Sequence, residues 1–137
     1  MTATIDALEV GAELPPVAIA SISRTALALF AGASGDHNPM HIDIDVAKSA
    51  GLDDVFAHGM LSMAYLGRII TNWVAPEDIR TYAVRFGAIT PVHAEPTARG
   101  RIAAIDEVDG ERRATLELVV ALADGTVTLT GTAVVAV

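Results

Sequence analysis

The segment from Gly59 to Ala75 sets the tightest limit on the fold, because its apolar residues recur at helical spacing around most of a helix. Met60, Leu61, Met63, Ala64, Leu66, Ile69, Ile70, Trp73 and Val74 leave little polar surface, which predicts a helix buried on nearly all sides. Gly67 would let a neighbouring backbone approach closely, and Pro76 stops the helix. Such a helix needs an element that surrounds it, and the chain beyond Ile79 reads as strands. Tyr82-Ala83-Val84-Arg85-Phe86 alternates, then Pro91 interrupts as an edge or bulge residue. Arg99 to Val108 and Arg113 to Ala123 flank Asp109-Gly110, a two-residue hairpin signal that Asp124-Gly125 repeats before Thr126 to Val137. A greasy helix followed by a meander predicts an α+β fold whose sheet wraps the helix.

Ahead of that helix, Pro16 to Ile22 reads as an edge strand behind the turn-like Leu14-Pro15-Pro16. Ser23 is placed to cap a helix running through Leu27, Leu29 and Phe30, with Gly35 marking its end. Pro39 pushes Asn38 out of the α region, so Asp36 to His41 is a loop. Asp45 is read as the cap of a short turn, Val46 to Ala50, closed by Gly51.

The 137 residues fit one domain, 1–137, and 52% hydrophobic residues with a mean hydropathy of +0.45 supply a core. Aromatics are only 4%, so that core must be built from Ala, Val, Ile and Leu. No stretch reaches the roughly 18 apolar residues of a membrane span. Met1 to Val10 carries Asp6 and Glu9 and has no basic patch leading into an apolar run, so the cytoplasm is the expected location. The absence of Cys excludes disulfides and thiolate zinc sites. A net charge of −8 argues against a nucleic-acid partner, although the arginines leave room for local anion contacts.

The informative stretch is Phe30-Ala31-Gly32-Ala33-Ser34-Gly35-Asp36-His37-Asn38-Pro39-Met40-His41, followed by His58-Gly59-Met60-Leu61 at the start of the long helix. It resembles the (R)-hydratase signature of MaoC-like proteins: an aromatic, Ser-Gly-Asp, a free position, Asn-Pro, an aliphatic and His. Met40 departs from the Leu, Ile or Val usual there but keeps an apolar side chain of similar volume. Ser34 to Trp73, with Val84-Arg85-Phe86, is especially similar to the catalytic subunit of the mycobacterial (3R)-hydroxyacyl-carrier-protein dehydratase. The resemblance implies a hot-dog fold and a cofactor-independent, metal-free lyase. Such an enzyme interconverts trans-2-enoyl and (3R)-3-hydroxyacyl thioesters of coenzyme A or an acyl carrier protein (ACP). It also implies a homodimer, or a heterodimer with a related hot-dog subunit.

The chemistry fits those residue types. Hydration needs a base for water, an acid for the α-carbon and a donor for an enolate-like oxygen. A carboxylate and an imidazole facing one water supply both proton transfers. The resemblance gives these roles to Asp36 and His41, and that of oxyanion donor to the Gly59 amide at a positively polarised helix N-terminus. Asn38 is expected to shape the loop and His58 to anchor the helix start, each with a smaller chance of supporting the chemistry; His37 and His93 are expected in solvent. His41-x-Asp43-x-Asp45 is better explained by capping than by metal ligation. Ser34 and Ser62 lie outside any G-x-S-x-G elbow, which disfavours a serine hydrolase. Two alternatives stand beside the hydratase: a hot-dog acyl thioesterase, and a subunit active only within a heterodimeric dehydratase.

Overall fold

The computed structural model describes residues 8–137. In chain order they form β1 (Glu13–Ala18), α1 (Arg24–Ser34), a 3-10 turn (Pro39–His41), α2 (Ile44–Ser49) and α3 (Gly59–Thr71). A second 3-10 turn (Pro76–Asp78) leads into β2 (Ile79–Phe86), β3 (Thr97–Val108), β4 (Glu111–Ala121) and β5 (Val127–Ala136). The strands make one antiparallel sheet in the order β1-β3-β4-β5-β2.

The expected meander is β3-β4-β5. Asp109 and Gly110 both have positive φ, 53° and 80°, the backbone that joins twisted strands through two residues. The second connection is wider than expected. Only Gly125 is left-handed there, Leu122 N–H donates to the Thr126 carbonyl at 2.8 Å, and the Asp124 carboxylate accepts from Thr126 N–H. β2 does not sit beside β3, its neighbour in sequence, but pairs with β5 at the far edge.

One face of the sheet packs on α3. Leu66 and Ile70 of the helix and Ile102, Leu116 and Val135 of the sheet are fully buried, each contributing about 1.5–3 kcal/mol by leaving water. The closest approach falls at Gly100 of β3, where a Cβ would come within 2.8 Å of Leu118 Cδ2 and 3.0 Å of Ile69 Cγ2. Gly67 has no such role: a Cβ there would only touch the Tyr82 ring at 3.5 Å.

Four sequence expectations need correcting. α3 is not buried on nearly all sides, because Met60, Ala64, Arg68 and Thr71 form an exposed stripe at helical spacing. It also ends at Thr71, before Pro76, with Asn72 N–H donating to the Arg68 carbonyl. β1 starts earlier and runs through Pro15 and Pro16, which an edge strand tolerates at a break in its register between Leu14 and Val17. The cap of α2 is Asp43, whose carboxylate accepts from the N–H groups of Asp45 and Val46. The caps of α1, Ser23 and Gly35, stand as expected. A sheet curled around one central helix is the hot-dog fold.

Candidate active site

The site grows from the end of α1. Gly35, left-handed at φ 78°, donates to the Ala31 carbonyl and turns the chain out of the helix. Three local bonds then fix the loop. Asp36 N–H donates to Ser34 Oγ, Asn38 N–H to Asp36 Oδ1, and Met40 N–H to Asn38 Oδ1, at 3.1–3.2 Å. Asn38 therefore shapes the loop, as expected. Asp36 uses one carboxylate oxygen to brace its own turn and is exposed.

The 3-10 turn carries His41 inward, to 7% exposure. Its Nδ1 lies 2.7 Å from the Phe56 carbonyl oxygen; a carbonyl only accepts, so Nδ1 holds the proton and Nε2 presents a lone pair. His58 is completely buried and stacks on His41 with ring centroids 4.0 Å apart, while Phe30 meets its ring edge-on at 4.8 Å. Its Nε2 donates to the Asp36 backbone carbonyl at 3.2 Å and its Nδ1 has no partner. Burial, and then the neighbouring His41, hold the His58 imidazole below the usual histidine range. The expected anchoring of α3 takes another form: His58 gives that helix no side-chain cap and instead ties its start to the Asp36 loop.

One donor atom each of Asp36, His41 and His58 lies within 4.8 Å of the other two. These are the residues that could hold a metal, rather than His41, Asp43 and Asp45. The two imidazoles are stacked with 28° between their planes, and each has one ring nitrogen on a backbone carbonyl, which leaves one nitrogen apiece for other work.

Gly59 opens α3 next to His58. The first N–H groups of a helix have no partner inside it, and here no side chain caps them. The His58 carbonyl takes the N–H groups of Leu61 and Ser62. A Cβ at Gly59 would press on Phe86 Cε1 at 3.0 Å, so the ring of Phe86, itself half-exposed, lies against the helix start. A cavity of about 330 Å³ adjoins Gly59 and Phe86 and reaches Ser62, Thr90 and Leu129. A larger hollow of about 430 Å³, on the sheet face turned away from α3, is crossed by the Arg101–Glu117 ion pair. Asp36, His41 and His58 line neither hollow, and of the two only the smaller one reaches Gly59, which follows His58 in the chain.

The structure thus brings Asp36, His41 and His58 together next to Gly59, with Asn38 bracing the loop; His37 and His93 are exposed. Sequence reading missed Phe86 over the helix start and the buried pair Ser62–Thr90. Phe86 figured there only in the strand pattern and the resemblance, and Ser62 only as a disfavoured nucleophile, while Thr90 left no trace.

Residues 8–125 match the family model for the MaoC like domain. The chain belongs to the MaoC-like domain family. Among MaoC-like relatives, 3-hydroxyacyl-thioester dehydratase X of Mycobacterium tuberculosis is 38% identical over 74 residues, 53% of this chain and 25% of that protein. The chain thus spans a quarter of the length of that relative. The unliganded R-hydratase PhaJ1 from Pseudomonas aeruginosa has 27% identity and a TM-score of 0.80, over 94% of this chain and 82% of its own. The ChsH1-ChsH2 complex from Mycobacterium tuberculosis shares the fold, with a TM-score of 0.81 at 24% identity, covering 95% of this chain and 98% of that one.

Proposed function

We propose that this MaoC-like chain is a hydro-lyase that reversibly hydrates trans-2-enoyl thioesters of coenzyme A or ACP to (3R)-3-hydroxyacyl thioesters. The observation that carries the reading is the meeting of Asp36 and His41 beside an uncapped helix start, with the His41 N–H already spent on a carbonyl. A carboxylate and a bare imidazole nitrogen both accept hydrogens, so the group that completes the cluster is one that donates, and water does.

In the hydration direction the dyad takes a proton from water as its oxygen bonds to C3. The electron pair of the C2–C3 double bond shifts onto the thioester oxygen, which the Gly59 N–H stabilises. Return of a proton to C2 completes the addition of water. Proton transfer of this kind is worth roughly 10²–10⁴-fold, and one oxyanion donor about 3–4 kcal/mol. His58 serves as a positioning residue through its stack on His41 and its bond to the Asp36 carbonyl. The dehydratase and hydratase names of the relatives support this class of reaction.

Pairing of hot-dog subunits fits the free outer edge of β2, and exposed Phe86, Ile89 and Met60 supply apolar surface for it. The ChsH1-ChsH2 complex supports either a second copy or a related subunit as the partner. No helix among the described residues is long and apolar enough to cross a membrane, and we place the enzyme in the cytoplasm.

Crotonyl-CoA tests the proposal. Loss of enoyl absorbance without release of free thiol is the expected result, from the chain alone or with a related subunit. Thiol release without hydration would instead make it a thioesterase. If activity needs a partner, its loss in a complex carrying Asp36→Asn places the chemistry on this chain.

A further inference from the structure

Ser62 and Thr90 are the buried hydroxyls of the cavity beside Gly59, at 5% and 4% exposure, and its other walls include Phe56, Phe86 and Leu129. A serine inside a helix usually returns its hydroxyl to the carbonyl one turn back. Ser62 turns it instead to Thr90 Oγ1, at 3.5 Å, far longer than the 2.7–2.8 Å common between hydroxyls. A hydroxyl offers one donor and two acceptor positions, so this long bond leaves most of the pair's capacity unspent. The pair is held in place from behind, since the Thr90 carbonyl accepts from Ala57 N–H at 2.9 Å. Two unspent hydroxyls in an apolar cavity suit a ligand group that both donates and accepts.

We propose that Ser62 and Thr90 bind the first amide of the thioester arm that coenzyme A and ACP share. The inference rests on the hydratase reading, which puts the substrate carbonyl at Gly59. The double bond cannot occupy this cavity, because none of Asp36, His41 and His58 lines it. With C2 and C3 held at the dyad and C1 at Gly59, the next atoms along the molecule are the sulfur, two methylenes and the amide. Side chains three apart on a helix lie about 5–6 Å from one another, which matches the reach of four bonds from the thioester carbon to the amide nitrogen. The amide N–H then meets a hydroxyl oxygen, and its carbonyl meets the free Thr90 O–H.

The test compares binding of two unreactive ligands to the full chain by calorimetry. Butyryl-N-acetylcysteamine carries the amide, and S-pentyl thiobutyrate replaces it with methylenes. We expect the wild type to prefer the amide-bearing ligand. Ser62→Ala and Thr90→Val should each shrink that preference by roughly 3- to 10-fold, the worth of one neutral hydrogen bond. Thr90→Ser, which keeps the hydroxyl, should retain it. An unchanged preference in both variants, or equal weakening of both ligands, would overturn the subsite and give the cavity to the acyl tail. Crotonyl-CoA hydration by the same wild-type sample, alone and with a related subunit, reports separately: binding preference without turnover in either case sinks the hydratase reading, whereas turnover with no amide preference sinks only the subsite.

Discussion

Two polar clusters of this molecule use the same kinds of groups in opposite ways. At the open end of β4, Glu111 receives both Arg80, through Nη2 at 2.6 Å, and Arg113, through Nε at 2.5 Å. The two guanidiniums hold its carboxyl well down, at about 2. A carboxylate so committed has nothing left to offer a substrate. In the Asp36–His41–His58 cluster, hydrogen-bonding capacity is left over. Both imidazole N–H groups go to backbone carbonyls, and His58 Nδ1 has no partner at all. A buried polar atom left unspent is costly to the fold, and where one lies beside a second imidazole and a carboxylate near a helix N-terminus, chemistry explains it better than stability does.

The sharpest way to break this contrast is at the dyad. Asp36→Asn and His41→Gln should each lower turnover on an enoyl thioester by roughly 10²–10⁴-fold while far-UV circular dichroism and Tm stay close to wild type. Full activity in either variant would dissolve the distinction between the clusters. His58→Gln should act on both properties. Losing the ring stack and disturbing the bond to the Asp36 carbonyl should cost about 1–3 kcal/mol of stability. Misplacement of the dyad should lower kcat by up to about 10²-fold, and a variant with wild-type kcat would leave His58 a purely structural residue.

Acid titration separates the clusters next. Because His58 has a lowered value in the fold, the unfolded chain takes up a proton as pH falls through 6.5 that the folded chain resists. Its stabilising effect is therefore present above 6.5 and lost below it. The contribution of Glu111 is present above its ordinary 4.5 and disappears only as pH approaches about 2. Tm followed from pH 7 to pH 5 should fall more steeply for the wild type than for His58→Gln, and equal slopes would contradict the assignment. Glu111→Gln should do least: a small drop in Tm at neutral pH, as for other part-exposed ion pairs, with enoyl turnover intact.

Much of this was legible in the chain, and the boundary follows a physical rule. Most signals that act within a few residues read correctly, the Ser23 and Gly35 caps, the Asp109-Gly110 turn and the Asn38–Pro39 bend among them, whereas the Asp45 cap and the second Asp-Gly hairpin did not. Patterns that count side chains without knowing their surroundings read too far. Met60 and Ala64 pass for core residues in a helical pattern but face water in the fold. Partners distant in sequence left almost no trace. That β2 crosses to the far edge beside β5, that Phe86 lies on Gly59, and that His58 stacks on His41 all depend on tertiary packing. The motif supplied the candidate residues; only the fold shows which of their atoms are already occupied.

The central claim is that Asp36 and His41 pass protons between water and a thioester held at Gly59. Proton NMR of crotonyl-CoA incubated with the protein in D₂O tests it most directly. The account predicts a 3-hydroxybutyryl thioester of R configuration with one deuterium at C2, formed by the wild type and not by Asp36→Asn. Free crotonate and thiol, or the same deuterated product from Asp36→Asn at the wild-type rate, would contradict it.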